Sequence, residues 1–308
     1  MRTYWNIDHT LRTLENWQPN CWVQVTCPTP DDENFLFNEL HIPDYFLDDI
    51  RDKDERSRYD YDEGWSLIIL RIPYVKEVRS RTPHTTVPLG IILNKGGCVT
   101  VCNYETNMMI DFVSYQQKRN LGFTDSVDLV FRLFLSSAVW YLKRLKQISI
   151  LIEEAKHKLD NNINNEDLVG LSRLQDSLTY FITSIRGNET LLSKLKFKLP
   201  VDELDADLIE DVTIEMNQAR ETTNIYTNIL DSTMETYANV INNNMSGLMK
   251  KMTSLNIILM IPTLVASIFG MNLISGMEEV WWGFPITIVF TIVVTFICYG
   301  VFRKKAWI

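Results

Sequence analysis

Two uncharged stretches near the C-terminal end constrain this chain more than any other feature. Residues 252–277 run for 26 positions without a charge and residues 280–302 for 23, separated only by Glu278 and Glu279. A bilayer core of about 30 Å needs roughly 20 apolar residues in a helix, so each run is long enough to span. A hairpin buried in a soluble core is the competing reading. The flanks orient the pair: Lys250 and Lys251 precede the first run, Arg303-Lys304-Lys305 follow the second, and the turn carries only acids. Basic residues stay on the cytoplasmic side, so both termini are expected in the cytoplasm of a cell (inner) membrane protein. Trp281, Trp282 and Trp307 stand near the span ends, where indole rings favour the interface.

Residues 1–20 are polar and charged, with no apolar core of a signal peptide, so about 250 residues are expected to remain cytoplasmic. The charge there is unhelpful to a nucleic-acid binder. With 30 basic and 39 acidic residues the chain carries −9, the wrong sign for neutralising phosphates. An enzyme is not expected either. His9, His41, His84 and His157 are scattered, and Lys95-Gly96-Gly97 lacks the spacing of a P-loop. No organic cofactor is expected. The five cysteines fit a reducing compartment; Cys98 and Cys102 lie four apart on one strand face with no partner ligands, and read as small core residues.

Before the spans, three regions separate. In residues 1–123, Cys21-Trp22-Val23-Gln24-Val25 reads as a strand, and Pro28-Thr29-Pro30-Asp31 ends it and can open a helix. Residues 65–72 form a nearly continuous apolar run, as in a buried strand. Residues 89–93 and 98–102 flank Asn94-Lys95-Gly96-Gly97 in the form of a hairpin whose glycines tolerate positive φ. Residues 124–203 are helical: Val127, Val130, Phe131, Phe134, Leu135 and Ala138 keep a 3.6-residue period, residues 161–165 break it, and a second helix runs to about Lys198. From 204 to 251 a third region repeats apolar or small residues every three or four positions, and this seam, from Val212 through Leu230 and Ile241 to Leu259, enters the first span in phase. As one helix, residues 205–269 would measure roughly 100 Å, too long to pack within its own domain, so the seam predicts association with copies of itself. Two spans cannot enclose an aqueous path alone, so a homo-oligomer with the first span lining a pore follows.

Gly270-Met271-Asn272 closes the first span, ahead of a short loop and a second span ending in basic residues. With Met249-Lys250 and Met252-Thr253 at the membrane entrance, and Leu47-Asp48-Asp49-Ile50 followed by Arg56 near the N-terminus, the chain resembles the CorA family of magnesium channels over essentially its whole length. The resemblance implies an α+β cytoplasmic domain of αβα layering, a helical arm, a long stalk helix and a transmembrane hairpin (252–308, spans about 252–271 and 282–302). It also implies a homopentamer that takes up divalent cations passively, chiefly Mg²⁺ and also cobalt.

In that family Gly270, Met271 and Asn272 would form the selectivity filter. A ring of neutral amide oxygens can hydrogen-bond the water shell of Mg²⁺, which dehydrates reluctantly, without stripping it. Thr263, Met260, Asn256, Met252 and Met249 would line the pore, where methionine rings gate by dewetting. Glu278 and Glu279 would concentrate cations at the entrance. Asp49 and Asp211 match the positions where cytoplasmic Mg²⁺ holds neighbouring subunits closed, which makes Mg²⁺ a regulatory as well as a transported ion. The driving force needs no nucleotide, since a divalent ion gains roughly 4–5 kcal/mol per 100 mV of inside-negative potential. Two departures stand out: Ser246 replaces a common asparagine, leaving a cytoplasmic polar ring to Asn242, Asn243 or Asn244, and Pro262 is shifted by one residue. The alternatives are a zinc or broad divalent-metal transporter of the same superfamily, or a membrane-anchored ion sensor or scaffold.

Overall fold

The computed structural model describes residues 1–7, 10–75, 83–161, 164–199, 203–269, 281–305 and 307. By its internal packing the chain divides into two compact units, Met1–Thr233 and Met234–Ile308.

The first unit is built on a seven-stranded mixed sheet. Its strands are β1 (Arg2–Asn6), β2 (Arg12–Leu14), β3 (Cys21–Thr26), β4 (Arg58–Asp62), β5 (Trp65–Val75), β6 (His84–Asn94) and β7 (Gly97–Cys102), ordered β2-β1-β3-β7-β6-β5-β4. Only β3 and β7 are parallel, with Trp22 opposite Cys98. The expected hairpin is β6–β7, closed with Asn94 opposite Gly97. Positive φ falls on Gly97 (148°), where a Cβ would come within 2.7 Å of the Cys21 carbonyl oxygen. Cys98 and Cys102 are buried, as read.

Helices cover both faces, which gives the expected layering. On one side lie α1 (Pro30–Asn34), a five-residue π-helical turn (Phe35–Glu39) and α2 (Asp44–Arg51). Thr29 opens α1 with a capping box through Asp32. Leu36, Phe46, Leu47 and Ile50 pack there against Val23, Leu67, Ile92 and Val101. Ile50 fills the space above Gly90, whose missing side chain makes the approach possible: a Cβ there would meet Ile50 Cδ1 at 2.1 Å. On the other side, α3 (Asn107–Arg119), α4 (Ser126–Asn161) and α5 (Asn165–Lys198) lie against the strands. Trp22 meets Phe112 and Phe123 edge to face there, and its Nε1 donates to Thr100 Oγ1 at 2.9 Å. The helical period therefore places α4 and α5 correctly, with α5 capped by Asn164.

The third region forms a single helix, α6 (Glu203–Phe269). Its upper part runs antiparallel to α5: Lys196 Nζ lies 3.5 Å from Thr213 Oγ1, Arg220 Nε 3.3 Å from Glu189 Oε1, and Gln175 Nε2 donates to Asp231 Oδ1 at 2.6 Å. The seam consequently divides. Val212, Met216, Ala219, Thr223 and Leu230 are fully buried within the chain, whereas Ile241, Met245, Leu248, Met252, Leu255 and Leu259 are exposed. The upper part of the seam, expected to face copies of the chain, thus packs within the chain, alongside α5, and only the lower part is left uncovered.

The second unit contains the lower part of α6 and α7 (Gly283–Lys304). Both helices are long and apolar enough to cross a membrane. In the most apolar 18 residues of each, 6% (α6) and 0% (α7) are buried, which sets aside the soluble-core hairpin. Trp281 and Trp282 pack edge to face before α7, and Trp307 stacks on Phe302 beyond its middle turns.

Candidate ion-conduction path

Within the second unit, α6 has one covered side. Ser254 is fully buried, and Ile257, Ile258, Ile261 and Val265 are partly so. The Ser254 hydroxyl donates to the Lys250 carbonyl at 2.9 Å, so its burial leaves no unmet donor. α7 carries a matching half-covered stripe at Thr287, Thr291, Val294, Thr295 and Cys298.

The predicted pore residues lie on the opposite face. Met249, Met252 and Met260 are 64%, 61% and 67% exposed, and Asn256 and Thr263 are exposed with them. At about 100° per residue these five fall within a sector of roughly 80°, centred some 155° from the covered side. Thr263 Oγ1 donates to Leu259 O at 3.0 Å. An exposed stripe of methionines interrupted by an asparagine is poor lipid-facing surface, because a mid-span amide needs water or a partner. Pro262 sits inside the helix, where it has no N–H to bond one turn back. Gly270, Met271, Asn272, Glu278 and Glu279 lie outside the described residues.

The two aspartates expected to sense the ion belong to the first unit. Asp49, on α2, is part-buried and already holds the guanidinium of Arg58, which also reaches Glu55 Oε1 at 3.4 Å. Asp211 is exposed on α6. Among the described residues no three His, Cys, Asp or Glu side chains gather as a metal site. Asp49 is thus shared with an arginine that also holds Glu55, while Asp211 stands exposed. A divalent cation takes six or more oxygen ligands, more than either carboxylate offers by itself.

Sequence reasoning did not foresee the Arg58 partner or the polar cluster beneath it. Arg71 of β5 is buried without a carboxylate partner among the described residues. Its guanidinium donates to the carbonyl oxygens of Lys53, Glu55 and Thr86 and to Thr86 Oγ1. Burial holds its pKa below the usual arginine value. Arg71 thereby fixes the loop that carries Glu55. The one visible signal was a lone arginine within the apolar run 65–72.

A layered α/β unit, a helix of 67 residues and a C-terminal hairpin of two unburied apolar helices define a membrane protein with two C-terminal spans. The chain belongs to the CorA-like Mg²⁺ transporter protein family, whose sequence model matches residues 17–304. It is therefore a transport protein and not an enzyme. It is 25% identical over 302 residues to the cobalt/magnesium transport protein CorA of Methanocaldococcus jannaschii, covering 93% of this chain and 91% of that protein. With the magnesium transport protein CorA of Helicobacter pylori it shares 24% identity over 297 residues, 93% of this chain and 90% of the other. The complete structure of the CorA magnesium transporter from Methanocaldococcus jannaschii superposes with a TM-score of 0.86 at 21% identity, covering 100% of this chain and 99% of that one.

Proposed function

We propose that the chain is one subunit of a homopentameric channel for passive uptake of divalent cations, chiefly Mg²⁺ and also Co²⁺, with both termini in the cytoplasm. Hydrated ions would be selected at a ring of Asn272, helped by Gly270 and Met271, with Glu278 and Glu279 raising cation concentration at the mouth. They would then pass Thr263, Met260, Asn256, Met252 and Met249. Asp49 and Asp211 would hold regulatory Mg²⁺ between subunits.

The observation that carries this reading is the uncovered face of α6. Opposite the side that the chain itself covers stands a stripe of methionines broken by Asn256. A symmetric ring of such helices would turn that stripe inward and give the amide the water it needs. The names of the relatives, magnesium or cobalt/magnesium transport protein, agree with the choice of ion. The test is Mg²⁺ flux into liposomes holding the purified protein, wild type beside Asn272→Ala. Flux in the wild type that falls at least ten-fold in the variant supports the channel; equal flux in both removes Asn272 from the filter.

A further inference from the structure

We infer that Lys250, Lys251, Arg303, Lys304 and Lys305, where the two spans end, form a binding site for the phosphate of an anionic phospholipid in the cytoplasmic leaflet. This rests on the reading above that places both termini in the cytoplasm, and adds a ligand that it does not contain.

The five cations meet at one membrane face. Lys251 stands 18 residues before Phe269, the end of α6, and Arg303 stands 20 residues after Gly283, the start of α7. At 1.5 Å per residue these are about 27 and 30 Å, one hydrocarbon thickness each, so a chain that crosses and returns brings both groups to the same boundary. All five are exposed.

Helical phase turns the α6 pair away from the pore stripe. With Met249 as origin and about 100° per residue, Met252, Asn256, Met260 and Thr263 fall between about −60° and +20°. The covered side, Ser254, Ile258, Ile261 and Val265, falls between about +120° and +180°. Lys250, near +100°, and Lys251, near −160°, flank that covered side. Their charge therefore faces the outside of a ring of such helices, where lipid stands.

Nothing in the chain neutralises them. Among the described residues none of the five makes an ion pair, whereas Arg51, Arg58, Arg132 and Arg220 of the first unit all hold carboxylates. Neither Asp nor Glu occurs between Glu235 and Glu278 or after Glu279, and Glu235 lies about 22 Å along α6 from Lys250. Neighbouring copies would bring only the same cations to this level. The counter-charge must come from outside the protein. Because the apolar runs begin at residue 252 and end at 302, the cations sit directly at the hydrocarbon edge, where lipid phosphates lie and long basic side chains reach them. Arg303 adds a planar fork that matches phosphate oxygens.

The end of α7 is also shaped for that layer. The Lys305 N–H donates to the Val301 carbonyl and the Trp307 N–H to the Phe302 carbonyl, each at 3.1 Å. This folds the chain back and stacks the Trp307 indole on Phe302 with 5.7 Å between ring centroids. The turn presents Arg303, Lys304 and Lys305 beside an indole, a ring that favours the headgroup region.

The test counts lipids on full-length protein in detergent by native mass spectrometry, titrating phosphatidylglycerol or phosphatidylcholine of identical acyl chains. Phosphatidylglycerol should bind at least roughly five-fold more tightly. Combining Lys250→Gln, Lys251→Gln, Arg303→Gln, Lys304→Gln and Lys305→Gln should bring the two lipids within about two-fold of each other. Lys95→Gln, Lys118→Gln and Lys194→Gln together remove exposed charge from the first unit and should leave the preference intact. Replacing Lys250, Lys251, Lys304 and Lys305 by arginine keeps the charge and should keep the preference. Equal binding of both lipids by the wild type, a measurement that needs no variant to fold, would overturn the site. So would an undiminished preference in the glutamine variant. Displacement of phosphatidylglycerol by excess inorganic phosphate, but not by potassium chloride of equal ionic strength, would replace the lipid with a soluble phosphate. Mg²⁺ flux in liposomes from the same preparation separates the two readings: lipid preference without flux overturns the channel, and flux without lipid preference overturns the site.

Discussion

The carboxamide of Asn188, on α5, bonds both main-chain groups of Arg71, on β5: the Arg71 N–H donates to Oδ1 at 3.0 Å, and Nδ2 donates to the Arg71 carbonyl at 2.7 Å. The pairing of β4 with β5 stops at Arg58 opposite Ile69, so beyond that point β5 has no strand neighbour on this side. Asn188 stands in for one. Ser57 Oγ donates to the same Oδ1 at 2.7 Å, and the Tyr141 hydroxyl donates to the Arg71 carbonyl at 3.0 Å, which ties the loop before β4 and helix α4 into the same knot.

Replacing Asn188 by leucine leaves a buried N–H and hydroxyl donor without their acceptor. Each unmet buried group costs about 1–3 kcal/mol, so Asn188→Leu should destabilise the first unit by roughly 2–5 kcal/mol. Thermal unfolding of the detergent-solubilised protein measures it; an unchanged midpoint would mean that water replaces the amide.

The close approach of Ile50 to Gly90 makes a second, paired prediction. Gly90→Ala drives a methyl group into Ile50, which is fully buried, and should cost about 1–3 kcal/mol. Adding Ile50→Ala should make the combined loss smaller than the sum of the two single losses. Strict additivity in this double-mutant cycle would contradict the contact.

His84 gives a pH dependence with a definite sign. It is buried against Phe181 beside Arg144, and burial, reinforced by that positive charge, depresses its pKa from 6.5 to about 4. The folded state favours neutral imidazole, so the unfolded chain binds more protons between these values. Stability is therefore complete above about pH 6.5 and falls as pH drops towards 4, by a total on the order of a few kcal/mol. His84→Phe should flatten the pH profile of unfolding over that window; an unaltered slope would assign the dependence to other groups.

At Asp49 the prediction concerns ions. Asp49→Ala combined with Asp211→Ala should make flux insensitive to internal Mg²⁺, read in liposomes with Mg²⁺ inside. Arg58→Gln should move inhibition the other way, to a roughly two- to five-fold lower internal Mg²⁺ concentration, because a part-exposed ion pair of up to about 1 kcal/mol no longer competes for the carboxylate. Inhibition left intact in the double variant would take these carboxylates out of the regulatory role.

What the sequence made legible was whatever depends on one element at a time. The charge-free runs marked both spans, the period of Val127 to Ala138 marked α4, and Asn94 to Gly97 marked the β6–β7 turn. Contacts between distant segments were not legible. Periodicity shows that Val212, Met216 and Ala219 share a face, but not that the chain itself buries it, alongside α5. The parallel neighbours β3 and β7 are separated by some 70 residues, and no local pattern pairs them. Asp49 was visible as a carboxylate, whereas Arg58 became its partner only when β4 folded back beside α2.

Asn188 has an effect beyond its own bonds. A sheet margin with free peptide groups invites another chain to add a strand. At Arg71, where β4 has ended, the main-chain groups of β5 are already engaged by a side chain from a helix, and the short strand β4 carries Asp60 and Asp62. The fold thereby discourages its own polymerisation at this margin, with one amide ending the sheet where a longer strand would have left it open.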